Sequence, residues 1–215
     1  DNGLDTTAAL CGFTITNGGA TDLGGGIYCS SSSPTLTHLT ITNNSSYYSG
    51  PNTGLGGGIS CYNNSSPTLT DVTITGNSAQ LGGGISCYNN SSPTLTDVTI
   101  SGNTVGHSGG GMYCVSSSSP SLVNVTITNN SAPNNGGGMY CNTNSNPILE
   151  NVTITNNSAE IGGGIDCRSN SSPSLENVTI SGNSASNVGG GIYCKSGSSP
   201  SLVNTIVSDN LGNHG

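Results

Sequence analysis

A glycine triplet begins at residues 24, 56, 82, 109, 136, 162 and 189 of the 215-residue chain, so the sequence restarts every 26 or 27 residues, with one interval of 32. A fixed period of that length implies stacked units, each of which buries its apolar face only against its neighbours. The repetition reaches the level of letters: GGGISCYNNSSPTLTDVTI starts at Gly56 and again at Gly82.

Two stretches of each unit read as strands. In the first, Ile27, Ile59, Ile85, Met112, Met139, Ile165 and Ile192 are each followed two residues later by Cys29, Cys61, Cys87, Cys114, Cys141, Cys167 and Cys194, with Tyr, Ser or Asp between. Alternation of period two with one apolar face describes a half-buried strand. The second places Leu69, Val72 and Ile74 inward, with equivalents through Leu175, Val178 and Ile180. The three-residue step from Leu to Val needs a bend, and Asp71, Asp97, Asn124, Asn151 and Asn177 stand there. A proline, such as Pro67 or Pro93, recurs just before this strand, where a missing N–H is tolerated. No unit has ten residues of helical periodicity, so three short strands and three polar corners per unit give one rung of a parallel β-helix. The expectation is an all-β solenoid of about 7–8 coils spanning 1–215, with a partial first coil at 1–23, an insertion loop at 46–54 and a polar tail at 209–215. At about 4.8 Å per coil the rod is on the order of 35–40 Å long.

Composition agrees once it is read through the repeat. Apolar residues make up only 31% and charged ones 6%. So few apolar groups cannot enclose a large irregular core, yet the low charge gives little repulsion to hold the chain open. Placed at the same inward positions of every coil, they suffice because each layer is shared with its neighbours. Two basic residues, Arg168 and Lys195, leave no footprint for nucleic acid or anionic lipid. No apolar run is long enough for membrane insertion. The chain opens at Asp1 with neither an initiator Met nor a leader, which reads as a processed product or an internal fragment.

The glycine triplet with Ile, followed some fifteen residues later by Ile-x-x-Asn (Ile74 to Asn77, Ile100 to Asn103, Ile127 to Asn130, Ile154 to Asn157, Ile180 to Asn183), resembles the repeat motifs of polymorphic outer membrane proteins and, more broadly, of right-handed parallel β-helix surface proteins. Ile stands where that family's second motif has Phe. The resemblance implies a right-handed helix, an extracellular or cell-surface location, and an adhesive or structural role.

Catalysis finds little support in the residues. β-Helix enzymes acting on polysaccharides need clustered carboxylates, and here only Asp71 over Asp97, and Glu150 near Asp166 and Glu176, are expected to approach one another. His38 occupies the Asp/Asn corner position and reads as a solvated histidine, as do His107 and His214. The glycine triplets lack the Lys-Ser/Thr of a phosphate loop and read as tight corners. No cofactor is expected. Seven cysteines form one inward file, from Cys29 to Cys194, whereas Cys11 lies in a different register. Buried thiols packing as small hydrophobes are the leading reading; inter-coil disulfides are the alternative, and a straight file does not converge on a metal.

The outward faces carry the binding candidates. Thr14, Thr40, Thr73, Thr99, Thr126, Thr153 and Thr179 form one hydroxyl file, and Thr16, Thr42, Thr75, Thr128 and Thr155, with Ser101 and Ser181, form a second about 7 Å away. This array resembles the Thr-x-Thr face of hyperactive antifreeze β-helices, although Thr also simply suits an exposed strand. Tyr113 and Tyr140 are expected as an exposed stack, with Tyr47 and Tyr48 on the insertion, as contacts for sugars or a protein partner. Among many Asn-x-Ser/Thr sequons, those at Asn124, Asn151 and Asn177 are assigned to a corner close to the core. That leaves Asn63, Asn64, Asn89, Asn90 and Asn170 as candidate glycosylation sites. No polar cap is visible at either end, so the expected partners are adjoining β-helix coils or further copies of the chain stacked end to end, with glycans or a cell surface as outer contacts. The leading functional expectation is a non-enzymatic structural or adhesive rod; an ice-binding protein and a polysaccharide-active enzyme are the alternatives.

Overall fold

The computed structural model describes residues 8–47 and 54–214, and the coils stack their strands into parallel sheets along three faces. The first sheet stacks Ile27–Ser30, Ile59–Tyr62, Ile85–Tyr88, Met112–Val115, Met139–Asn142, Ile165–Cys167 and Ile192–Cys194 in sequence order. The second contains Thr35–Thr42, Thr68–Thr75 and Thr94–Ser101, and beyond them pairs of short strands such as Ser121–Val123 and Thr126–Thr128. Every pairing in these two sheets is parallel and in register, for example Leu95 with Leu122 and Ile100 with Ile127. The result is a β-solenoid of about seven turns, as the repeat predicts.

The predicted bend is a single left-handed residue. Asp71 has φ 53°, Asp97 55°, Asn124 56°, Asn151 55° and Asn177 55°. Asp and Asn tolerate that region better than other residues with a Cβ, because their short side chains bond locally. The bend lets Leu69, Val72 and Ile74 all face inward, at 1%, 1% and 0% exposure.

A third sheet runs through Gly19–Ala20, Ser45–Ser46, Ser78–Leu81 and Thr104–Ser108, and resumes at Ser158–Ile161, Ser184–Val188 and Leu211–His214. The stretch read as a polar tail therefore holds a strand that pairs with Ser184–Val188. Most of the insertion expected at 46–54 lies outside the described residues, as does Tyr48.

The interior is both apolar and polar. Beside the Leu, Val, Ile and Cys columns stands a buried amide ladder of Asn44, Asn77, Asn103, Asn130, Asn157 and Asn183. Asn103 shows the pattern: its Oδ1 accepts from the Asn77 backbone N–H at 2.9 Å, and its Nδ2 donates to the Ile74 carbonyl at 3.0 Å and to Asn130 Oδ1 at 3.0 Å. The Ile-x-x-Asn motif thus closes each coil's third corner, where irregular backbone would otherwise leave buried polar groups unpaired. A serine ladder does the same at the turn before the prolines, with the Ser91 hydroxyl accepting from the Ser65 N–H at 3.1 Å and donating to the Tyr88 carbonyl at 2.8 Å.

Candidate functional surfaces

The two threonine files are present on the outer face of the second sheet. Thr14, Thr40, Thr73, Thr99, Thr126, Thr153 and Thr179 are successive register partners, and Ile206 follows Thr179. In the second file, Thr16, Thr42, Thr75, Ser101, Thr128 and Thr155 align likewise. Its hydroxyls are partly engaged with one another: Ser101 donates to Thr75 at 3.2 Å and Thr155 to Thr128 at 3.1 Å.

The cysteine sheet differs from expectation on its outer side. The alternation predicts a half-buried strand, but Ser60, Ser86 and Asp166 are 0% exposed, and Tyr113 and Tyr140 only 9% and 8%. The covering comes from the segment ahead of each glycine triplet. At Gly109, with φ +72°, the chain reverses so closely over its own strand that a Cβ there would lie 2.7 Å from the Met112 carbonyl oxygen and 2.8 Å from Tyr113 Cβ. The reversal carries Leu55 and Leu81 into a second apolar cluster with Tyr113, Val115 and Tyr140, against which Leu23, Tyr62 and Tyr88 pack. Tyr113 and Tyr140 do stack, with centroids 5.4 Å apart, as do Tyr62 and Tyr88 at 5.5 Å. Burial corrects their assignment as exposed contacts: they are the core of an outer layer, and desolvation pushes the Tyr113 phenol well up. Coils with Ser60 or Ser86 place their aromatic two residues later, at Tyr62 and Tyr88, so each of these coils puts one large ring into the same thin space. Of the remaining predicted aromatic contacts, Tyr47 is exposed at 56%.

One coil fills that space with charge. Arg168 Nε donates to Asp166 Oδ1 at 2.9 Å, its NH2 lies 2.9 Å from Asp166 Oδ2 and donates to Asn135 Oδ1 at 2.7 Å, and its guanidinium stands 5.5 Å from the Tyr193 ring centroid. Burial pushes the Asp166 carboxyl up to about 6, against the pull of the arginine. Asp166 therefore sits on a different sheet from Glu150 and Glu176, which pair with each other, so the three-carboxylate grouping expected from sequence does not form.

The cysteine file is in register from Cys29 to Cys194, and all are thiols. Cys29 to Cys167 are buried, and Cys194, on the last coil, is exposed. Desolvation pushes the Cys29 thiol up to about 12, and hydrogen bonding to Cys114 and Cys61 together with burial raises Cys87. With their thiols held protonated in this way, Cys29 and Cys87 pack as inert small hydrophobes.

The sequon corner is also corrected. Asn124, Asn151 and Asn177 are exposed, because a left-handed residue at the bend throws its side chain outward. Asn64, Asn90 and Asn170 are exposed as expected, whereas Asn63 and Asn89 are half-buried and joined by an Nδ2–Oδ1 bond of 3.1 Å.

In the first coils that corner column reads Gly12, His38, Asp71, Asp97. The ring of His38 lies between two partners: Nδ1 is 3.7 Å from Cys11 Sγ, and Nε2 is 3.5 Å from Asp71 Oδ2. His38 is thus not merely solvated. Among the described residues no group of three or more His, Cys, Asp or Glu converges as metal ligands do.

Compared with known families, the chain matches the right-handed β-helix region over residues 2–132 and again over 83–214. Comparisons with curated proteins and with solved structures give no match.

Proposed function

We propose that this chain, which belongs to the right-handed β-helix family, serves as a non-enzymatic structural rod: a stalk, adhesive module or fibre subunit that extends by stacking further coils on its own. The observation that carries this reading is the unbroken register of the inward columns, which run from Leu10 and Ile15 in the first coil to Leu202 and Val207. Each coil presents apolar side chains together with a row of backbone groups, and both are satisfied by another coil in the same register, whether of the same chain or of a partner. The uncharged hydroxyl and amide faces along the rod suit glycans or a cell surface, in line with the extracellular setting of the polymorphic outer membrane protein repeats that the sequence resembles.

Negative-stain microscopy and sedimentation across a concentration series test the stacking. Filaments or oligomers that lengthen with concentration, and that Val207→Asp abolishes, are expected. Isolated short rods at high concentration would overturn it.

Ice binding is the second reading, and the unbroken register of the Thr14-to-Thr179 file favours it. Thermal hysteresis in the parent, lost on Thr126→Tyr, is its signature; a parent without hysteresis rules it out.

A further inference from the structure

We propose that Cys11, His38 and Asp71 make a surface thiol site at which Cys11 attacks disulfides and carries the mixed disulfide that results. Nothing in the solenoid's structural role calls for this cluster. Cys11 ends the strand Ala9–Cys11, pairs with Thr37, and is exposed. His38 is the next corner residue, at φ 52°, and Asp71 is its equivalent one coil further on. In the first coil the same column holds Gly12, where an added Cβ would meet nothing within 4 Å. The missing side chain leaves the His38 ring free to reach Cys11.

The ring uses opposite edges for its two partners, 3.7 Å to the thiol through Nδ1 and 3.5 Å to the carboxylate through Nε2. A metal ion would need the thiolate and carboxylate on one side of the imidazole, so the arrangement fits a proton relay and not a ligand set. With Nε2–H donating to Asp71, Nδ1 is left as acceptor for the Cys11 S–H. This is the nucleophile, base and orienting carboxylate order of thiol chemistry. Long contacts of this kind are usual before substrate arrives. The exposed sulfur is open to a disulfide from solvent, the simplest electrophile that needs only a nucleophile and a base.

The step balances without a further reagent. The Cys11 proton passes to His38 Nδ1, Cys11 Sγ bonds to one sulfur of the disulfide, the S–S bond breaks, and the departing thiolate takes the proton from the imidazolium. One thiol and one disulfide become one mixed disulfide and one thiol; Cys11 is oxidised and the leaving sulfur reduced.

The test uses an uncharged probe, dithiodipyridine, at neutral pH, so that removing Asp71 does not alter attraction of the reagent. A Cys194→Ser background removes the other exposed thiol. Fast labelling at Cys11, located by mass spectrometry, is expected. His38→Asn should slow it about tenfold, below the 10²–10⁴-fold range usual for general bases because the pair is exposed; Asp71→Asn should slow it less. Both substitutions are compatible with the fold, since Asn124 and Asn151 occupy the same corner. In His38→Gly, which repeats the glycine that Gly12 places in the same column, added imidazole should restore rate, which a purely structural histidine would not show. Labelling of Cys11 at the parent rate in His38→Asn, or preferential labelling of another cysteine, would overturn the proposal.

Discussion

Replacing Asp166 by Asn should remove a pH dependence that the parent chain carries in its stability. Asp166 is fully buried, and its carboxyl is pushed up to about 6 from 3.8 by burial, with Arg168 opposing. Because the folded state holds the proton more tightly than the unfolded chain, this group's contribution is fully present below pH 3.8 and is lost as the pH rises through about 6. The difference of about two units corresponds to roughly 3 kcal/mol. The paired guanidinium is already included in that figure; without it the carboxyl would be costlier still to ionise in the thin layer between Tyr140 and Tyr193. Asn keeps an oxygen to accept from Arg168 but has no proton to lose. Urea unfolding followed by circular dichroism at pH 4 and pH 7 reads the effect. With a slope of about 2–3 kcal/mol per molar for a chain of this size, the parent midpoint should fall by about 1 M more than that of Asp166→Asn over this interval. Comparing parent with variant cancels the shared contribution of the exposed carboxylates. Parallel pH profiles, or a parent that gains stability relative to the variant between pH 4 and 7, would refute the reasoning.

Other perturbations follow from the same interior. The hydroxyls of Ser60 and Ser86 are buried without a hydrogen-bond partner, so Ser86→Ala should raise stability by about 1 kcal/mol, seen as a higher urea midpoint. Asn103→Ala removes the acceptor of the Asn77 N–H and the donor to the Ile74 carbonyl; a loss of about 3 kcal/mol is expected, and an unchanged midpoint would mean that water replaces the amide. Gly110→Ala places a Cβ 2.5 Å from the Gly137 carbonyl oxygen of the next coil, which should cost about 3 kcal/mol or separate the coils, lowering the thermal midpoint.

The coil, its columns and its bends were legible because they recur: Leu69 over Leu95, Cys61 over Cys87 and Asp71 over Asp97 announce their register by spacing alone. The third strand was not located because Ser78–Leu81 has only Ala79 and Leu81 as apolar residues, the second of them in the outer cluster, and its equivalents degrade to Ser131 and Asn135. The covered outer face was hidden for a different reason. It depends on backbone reversals at glycines such as Gly109, and a triplet read only as a tight corner does not say which strand the chain folds back upon. Burial of Tyr113 and of Asp166 follows from that reversal and not from their own neighbours in sequence. Cys11 and His38 were separable from the repeats by eye but not joined, because Cys11 stands one position ahead of the column containing His38. Aligning Leu10-Cys11-Gly12 above Leu36-Thr37-His38 and Leu69-Thr70-Asp71 would have set the thiol diagonally across from the imidazole.

That alignment also indicates where function belongs on such a rod. In a solenoid whose coils are copies, a position that never varies serves the stack: Ile74 and Ile100 fill a layer, and Asn77 and Asn103 close a corner. Information can reside only where a column changes down its length. Two of the columns that do so bear on the sites described above. The outer face of the cysteine sheet passes from Ser60 and Ser86 through Tyr113 and Tyr140 to Asp166 and Tyr193. The corner column passes from Gly12 through His38 and two aspartates to asparagines. From Ser60 to Asp166 the first column is sealed beneath the glycine reversals, so its variation there tunes packing and the pH response of one coil. The second is exposed throughout, and its change from asparagine through aspartate and histidine to glycine runs toward the coil where Cys11 is exposed. The hydroxyl files, by contrast, repeat nearly one message from the first coil to Thr179 and Ser181, which suits an extended surface contact and not the recognition of a single small molecule.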